Sequence, residues 1–363
     1  MPERPDLSAA IIRRLADSIE GEVRPGLHDR QLYATDASLY QVEPLAVVIP
    51  ASTLDAARAV RVCYENSLAV LPRGGGTSLA GQCTNRAVVL DMTPNCRGLI
   101  EVDEVGRRCW VEPGLTVDDL NDAIREDDLF FAPDPATSRQ AAIGGCVGNN
   151  AAGARSIRYG RTSENLLGLK VCLADGSVVT LDDGAAGRDQ RVVDLTRRVV
   201  GVVRTYEPLI RERFPKTLRR NAGYALDAIL AQLDTDPGDL SKVNLSHLLC
   251  GSEGTLAVTL EAELLLHPIP AARGLAVAAF ASVDAAMEAL LPVLELGPSA
   301  VELLDDMVLS LARQQSEYRR YVDLLPSPGG SPPAAVLYVE FTADDDPAEI
   351  DERFAALRSI VSP

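Results

Sequence analysis

The chain has 363 residues, 47% of them hydrophobic and 24% charged, with a formal net charge of −17. That length and balance suit a soluble globular protein with two buried cores. So acidic a surface repels phosphate backbones and anionic lipid, which argues against nucleic-acid binding and electrostatic docking to membranes. An anionic substrate would need a local cluster of arginines. Seven cysteines (63, 83, 96, 109, 146, 172 and 250) lack C-x-x-C spacing and read as reduced thiols. His28, His247 and His267 lie far apart, so no metal site is expected. Residues 1–10 carry prolines and charges where a secretory signal has an apolar core, and no apolar run approaches the ~18 residues of a membrane span. A cytoplasmic location follows as the expectation.

Residues 1–45 read as a lead-in, with an amphipathic helix over 7–20 placing Ile11, Ile12, Leu15 and Ile19 on one face. A βαβ unit follows: a strand at 46–49, a helix capped by Ser52, and a second strand at 68–71. Short strands are predicted at 87–90 and 108–112, the latter stopped by Pro113-Gly114, and Thr116 caps a helix reaching Glu126. Strands at 166–173 and 177–181 flank Asp175-Gly176, a two-residue hairpin signal. Residues 183–240 read as helical and arginine-rich, and 248–266 as strand around Gly251-Ser252-Glu253-Gly254. From about 271 the chain alternates strand (275–280, 300–304, 335–341) with helix (283–294, 305–316, 347–360), an α+β second domain with a Pro/Gly-rich loop at 326–333.

The segment Pro72-Arg73-Gly74-Gly75-Gly76-Thr77-Ser78-Leu79 carries the sharpest chemical signal. Three glycines after a strand permit positive φ and let backbone N–H groups converge on an anion, with Arg73, Thr77 and Ser78 adding polar groups. A plain tight turn is the alternative for the glycines alone. A dinucleotide fingerprint fails because Leu79 stands at its sixth position. A P-loop fails because Gln82 stands where the lysine belongs. In 141–154, nine of fourteen residues are Gly or Ala with no charge, a run unsuited to a regular helix or strand but suited to close approach of backbone to a large flat ligand. A packed glycine-rich core turn is the alternative there. Pro133, Asp134, Thr137 and Ser138 lie upstream, and Tyr159-Gly160 downstream.

Taken in order, these segments with Ile143-Gly144-Gly145, Asn150-Ala151-Ala152-Gly153 and Gly251-Ser252-Glu253-Gly254-Thr255-Leu256 resemble the PCMH-type FAD-binding domain of the vanillyl-alcohol oxidase superfamily. The branch they resemble most holds the D-lactate, glycolate and D-2-hydroxyglutarate dehydrogenases. The resemblance implies an α+β fold: a PCMH-type two-subdomain FAD-binding domain over 46–270, then the start of an α+β, ferredoxin-like substrate or cap domain over 271–363. It implies that Arg73, Gly74, Gly75, Gly76, Thr77, Ser78, Leu79 and Gln82 hold the pyrophosphate. Pro133, Asp134, Thr137, Ser138, Ile143, Gly144, Gly145, Asn149, Asn150, Ala152, Gly153, Tyr159 and Gly160 would line the flavin and ribityl chain. Glu253, Gly254 and Val258 would close the adenine side. Thr77 occupies the position where some relatives link flavin to histidine, so the FAD is expected to be non-covalent.

The implied reaction is oxidation of a small 2-hydroxy acid by hydride transfer to flavin N5. Arg220 and Tyr224, in Arg219-Arg220-Asn221-Ala222-Gly223-Tyr224, are the candidates for orienting its carboxylate; a solvated basic helix end is the alternative. Relatives place metal-binding histidines and a proton-accepting base later in the substrate domain, and larger ones continue into iron–sulfur modules. Neither pattern occurs here, so a partial chain is expected, with the electron acceptor or iron–sulfur module on another segment or partner and a peripheral link to the inner membrane only through such a partner. A flavin module inactive without those parts, and an oxygen-using alcohol or sugar oxidase of the same fold, stay open as alternatives.

Overall fold

The computed structural model describes residues 7–217, 219–221 and 223–361. The first residues of the signal-peptide reading, 1–6, and Ala222 within the arginine–tyrosine segment lie outside them. The chain divides into two compact units. One comprises 1–131, 135–151 and 161–267; the other comprises 132–134, 152–160 and 268–363.

Two larger sheets build the first unit, beside a short pairing of Leu129–Phe130 with His267–Pro268. In the four-stranded sheet the order is Glu22–Arg24, Ala46–Ile49, Val88–Asp91, Val70–Arg73, with the last three strands parallel. Parallel strands require a crossover, and Thr53–Glu65 supplies it, capped by Ser52, whose hydroxyl accepts from the Asp55 N–H. Asp55 is fully buried, yet its carboxylate accepts backbone N–H bonds from Glu20 (3.0 Å), Gly21 (2.9 Å) and Ala51 (3.2 Å) and one from Arg58 (3.0 Å). A buried carboxylate with that many donors stitches three chain segments together. The five-stranded antiparallel sheet runs Leu99–Asp103, Arg108–Val111, Val258–Leu265, Leu166–Cys172, Val178–Leu181. Its buried face packs with helices such as Gln190–Thr205 and Leu226–Thr235 around Leu169, Val203 and Ile229.

Two local expectations are corrected here. The small-residue run is helical over Ile143–Asn149, and 246–249 forms a helical turn, so the strand predicted from 248 begins only at Val258. The strands Glu22–Arg24 and Leu99–Asp103 have no counterpart among the predicted elements.

The second unit is built on the antiparallel sheet Ala272–Phe280, Ala335–Ala343, Ala300–Asp305, with the middle strand almost wholly buried. Helices Val283–Glu295 and Ala348–Val361 cover one face. Small residues on the edge strand permit this: a Cβ on Gly274 would stand 2.5 Å from Ile350 and 2.6 Å from Phe354. Residues 132–134 and 152–160 join this unit through a charged cluster. Arg155 donates in bidentate fashion to Glu340 (2.8 and 2.9 Å), its N–H bonds Asp134 (3.2 Å), and Ser299 donates to Glu340 (2.8 Å). Burial alone would raise the Glu340 carboxyl, but the bonds from Arg155 and Ser299 hold it below its ordinary value. Burial lifts Asp134 above its own.

Removing one partner of a buried pair strands the other, so Glu340→Ala is expected to destabilise the protein by roughly 2 kcal/mol, a figure reduced for the partial exposure of Arg155. Because the folded carboxyl titrates below the unfolded one, the advantage of wild type over Glu340→Ala is complete above about pH 4.3 and fades as pH falls further. Thermal melting of both proteins across that range checks it; a constant difference would show that the pair contributes through packing alone.

Candidate functional site

The strand Val70–Arg73 delivers the glycine loop at the end of the parallel sheet. The loop tolerates no side chain at its centre, since a Cβ on Gly75 would stand 1.9 Å from the Gln140 carbonyl oxygen. Gly76 has φ +65, and a Cβ there would stand 2.6 Å from the Arg73 guanidinium. That guanidinium lies under the loop and donates to the carbonyls of Thr35 (2.8 Å) and Cys83 (3.0 Å), stacked 5.3 Å from the Tyr33 ring. Tyr33 donates to Asp91 (2.6 Å), and the burial of its phenol, with that bond, raises its pKa far above the ordinary value. Arg73 therefore shapes the loop from beneath by binding carbonyl oxygens.

Opposite the loop stands the helix Ile143–Asn149. Its start is fixed by Ile143 N–H to Leu115 O and Gly144 N–H to Pro113 O, both 2.8 Å. Gly145 faces space, for a Cβ added there meets nothing within 4 Å. Asn149 donates to the buried Ser78 hydroxyl (3.1 Å), tying helix to loop. The third wall is the turn Gly251–Gly254, in which Gly251 (φ 86), Glu253 (φ 54) and Gly254 (φ 71) are left-handed. Its N–H groups at Gly251 and Glu253 donate to Val147 O (2.8 Å) and Gly148 O (2.9 Å). A Cβ on Gly254 would meet Pro72 at 2.7 Å.

Between these walls lies a cleft that stays open to solvent. Of the predicted residues, Arg73, Gly74, Ser78, Gln82, Gly144, Gly145, Asn149, Glu253 and Gly254 line it. Gly75 and Gly76 shape the loop behind it, while Leu79 is exposed. Thr137 and Ser138 sit in the turn before the helix, where Thr137 O accepts from Gln140 and Ala141. Ile143 and Val258 point into the cores. Pro133, Asp134, Ala152, Gly153, Tyr159 and Gly160 belong to the second unit. Met92, Cys83, Leu249 and Thr259 also line the cleft; nothing in their local sequence distinguishes them, whereas Pro113 carried a signal in Pro113-Gly114.

Arg220 lines a second cleft in the first unit, with Arg161, Asn244 and His247. It pairs with Asp227 (2.5 Å) and stacks 5.1 Å from the Phe214 ring, and its carbonyl accepts from Arg161. Burial holds His247 below its ordinary pKa. Tyr224 lies elsewhere, with its hydroxyl 2.9 Å from that of Thr255. Asn150, capping the helix at φ 47, also faces this second cleft. Among the described residues no group of His, Cys, Asp and Glu is placed to hold a metal, and no helix is long and apolar enough to cross a membrane.

Residues 44–182 match the FAD binding domain family, and residues 269–362 match the C-terminal domain of FAD linked oxidases. The chain is 32% identical over 352 residues to D-2-hydroxyglutarate dehydrogenase of Pantoea ananatis (strain AJ13355), covering 94% of this chain and 34% of that one. It is 32% identical over 347 residues to the Escherichia coli (strain K12) protein of the same name, covering 93% and 33%. It is 27% identical over 284 residues to glycolate oxidase subunit GlcD of Bacillus subtilis (strain 168), covering 77% and 50%. The chain thus spans about one third of the length of the first two relatives, at 34% and 33%. A solved structure of alkyldihydroxyacetonephosphate synthase superposes with a TM-score of 0.69 at 17% identity, over 100% of this chain and 61% of that one, which shows a shared fold.

Gly75→Ala, whose Cβ collides with a backbone oxygen, is expected to abolish flavin uptake, whereas Gly145→Ala should keep the fold and weaken uptake by occupying cleft space. Titration with FAD, followed by quenching of its fluorescence, measures both. Wild-type affinity in Gly75→Ala would separate the loop from the ligand.

Proposed function

We propose that the chain binds FAD non-covalently in the glycine-walled cleft and forms the flavin part of an oxidoreductase for a small 2-hydroxy acid, a reading supported by its matches to the FAD binding domain family and to the C-terminal domain of FAD linked oxidases. The observation that carries this reading is the convergence of the glycine loop, the Gly144–Gly145 helix start and the Gly251–Gly254 turn on one cleft. The residues fit the group. Gly145 leaves open a wall that a side chain would occupy, and Gly74, also in the lining, has no side chain to stand between its main chain and a phosphate. Ser78, Gln82 and Asn149 add polar side chains to the lining of the same cleft. Thr77 has no reactive nucleophile for linkage to the ring, and the three histidines of the chain are remote in sequence, which supports a dissociable cofactor.

When bound, FAD supplies the hydride acceptor, at its N5. The protein's part is to hold and orient. Arg220 is proposed to orient the substrate carboxylate: its guanidinium lies over the Phe214 ring and is held by Asp227, leaving N–H donors for a second carboxylate. The relatives named for D-2-hydroxyglutarate and glycolate support a 2-hydroxy acid as the substrate class. The electrons then leave to an acceptor, for which an iron–sulfur module on another segment or partner is proposed; the match to one third of longer dehydrogenases supports this. Through such a partner the protein would reach the inner membrane.

An absorption spectrum of the purified chain, repeated after anaerobic addition of D-2-hydroxyglutarate and of D-lactate, tests the proposal. Flavin bands that bleach with one acid are expected. Bands that persist with every acid would mean that catalysis needs further segments, and a colourless protein unable to take up FAD would overturn the reading. In protein that turns over, Arg220→Ala is expected to raise KM for the acid roughly tenfold or more, the loss of about 1.5–3 kcal/mol from a charge-assisted bond, with FAD retained. An unchanged KM would remove Arg220 from the substrate site. Fast reoxidation of the reduced flavin by oxygen in stopped flow would favour an oxidase over a dehydrogenase.

A further inference from the structure

The turn Gly251–Gly254 presents Ser252, Glu253 and Gly254 to the cofactor cleft in an unusual backbone. Glu253 is a non-glycine residue at φ 54, a conformation that persists only where its surroundings over-determine it. On the inner side the constraint is the pair of bonds to Val147 O and Gly148 O. On the outer side it is a run of hydroxyls. The Ser252 carbonyl accepts from both the N–H (3.0 Å) and the Oγ1–H (2.6 Å) of Thr255. Thr255 has one hydroxyl proton, and that bond uses it. In its 2.9 Å contact with Tyr224, Thr255 Oγ1 is therefore the acceptor and the phenol is the donor. The direction is fixed: Tyr224 O–H to Thr255 Oγ1, and Thr255 O–H to Ser252 O. Each bond polarises the next. The chain leading to Tyr224 lies against the same turn, because a Cβ on Gly251 would stand 3.6 Å from the Asn221 oxygen.

We propose that Tyr224 is a positioning residue for the cofactor, acting through Thr255 on the Ser252–Gly254 turn, and that it takes no part in binding the acid. This rests on the reading of the cleft as the FAD site. Tyr224 is 43% exposed, so losing its hydroxyl removes one link without opening a core.

The test is FAD titration of the full chain, with wild type as the control for the underlying reading: if wild type binds no FAD, the cleft assignment fails and the experiment ends there. Given wild-type binding, Tyr224→Phe is expected to weaken FAD roughly fivefold, the worth of one ordinary hydrogen bond, and to leave KM for the acid unchanged wherever turnover is measurable. Thr255→Val should weaken FAD at least as much, and Thr255→Ser, which keeps the hydroxyl, should restore it. Because the phenol acts only through Thr255, Tyr224→Phe added to Thr255→Val should change nothing further. Unaltered FAD affinity in Tyr224→Phe, additive losses in the double variant, or a raised KM with normal FAD binding would each overturn the proposal.

Discussion

Two backbone hydrogen bonds, Gly251 N–H to Val147 O and Glu253 N–H to Gly148 O, hold together parts of the chain that are remote in sequence. In the last turn of the helix Ile143–Asn149, Val147 O accepts from the C-cap Asn150 N–H (3.2 Å) as well as from Gly251, while Gly148 O accepts from Glu253, so the Gly251–Gly254 turn adds N–H donors to the helix end. Each element completes the other. The helix, poor in side chains that would stabilise it alone, gains partners for its end; the turn gains the rigidity its left-handed residues demand. The cleft exists because the glycine loop then closes on the pair through Asn149 and Ser78.

The electrostatics of the cleft follow from the same economy of backbone. A chain with net charge −17 must hold a cofactor that is itself anionic. Arg73, the arginine at the cleft, donates to main-chain oxygens of Thr35 and Cys83, and in the proposed reading the glycine N–H groups, whose dipoles cost no side-chain entropy and do not titrate, share the anion. Buried thiols behave consistently with a reduced, unreactive interior: burial raises Cys63, Cys109 and Cys146 to about 12.

The second unit uses a different device. Its sheet takes in residues 132–134 and 152–160 through Arg155, Asp134, Glu340 and Ser299, a buried cluster in which one guanidinium satisfies one carboxylate in both its oxygens. Segments that sequence order assigns to the flavin domain are thereby built on the framework of the C-terminal one.

What the sequence determined by itself was whatever depends on near neighbours. The Ser52 and Thr116 caps hold as read, the Asp175-Gly176 turn forms with Gly176 at φ 82, and the alternating strands and helices after 271 lie close to their predicted bounds. The glycine loop was legible because positive φ and the absence of Cβ are properties of the residues. The helix at 143–149 was not, since Gly144, Gly145 and Gly148 argue locally against a helix, and only the distant turn and Pro113 make it favourable. Nor was the work of Arg73 or Tyr224 legible: side-chain type shows that an arginine can bind oxygen and that a phenol can donate, but which oxygen is decided when the chain brings residues 35, 83 and 255 beside them. Intrinsic preference is written in the chain, while hydrogen-bond partners remote in sequence are chosen only by the packing that excludes water from around them.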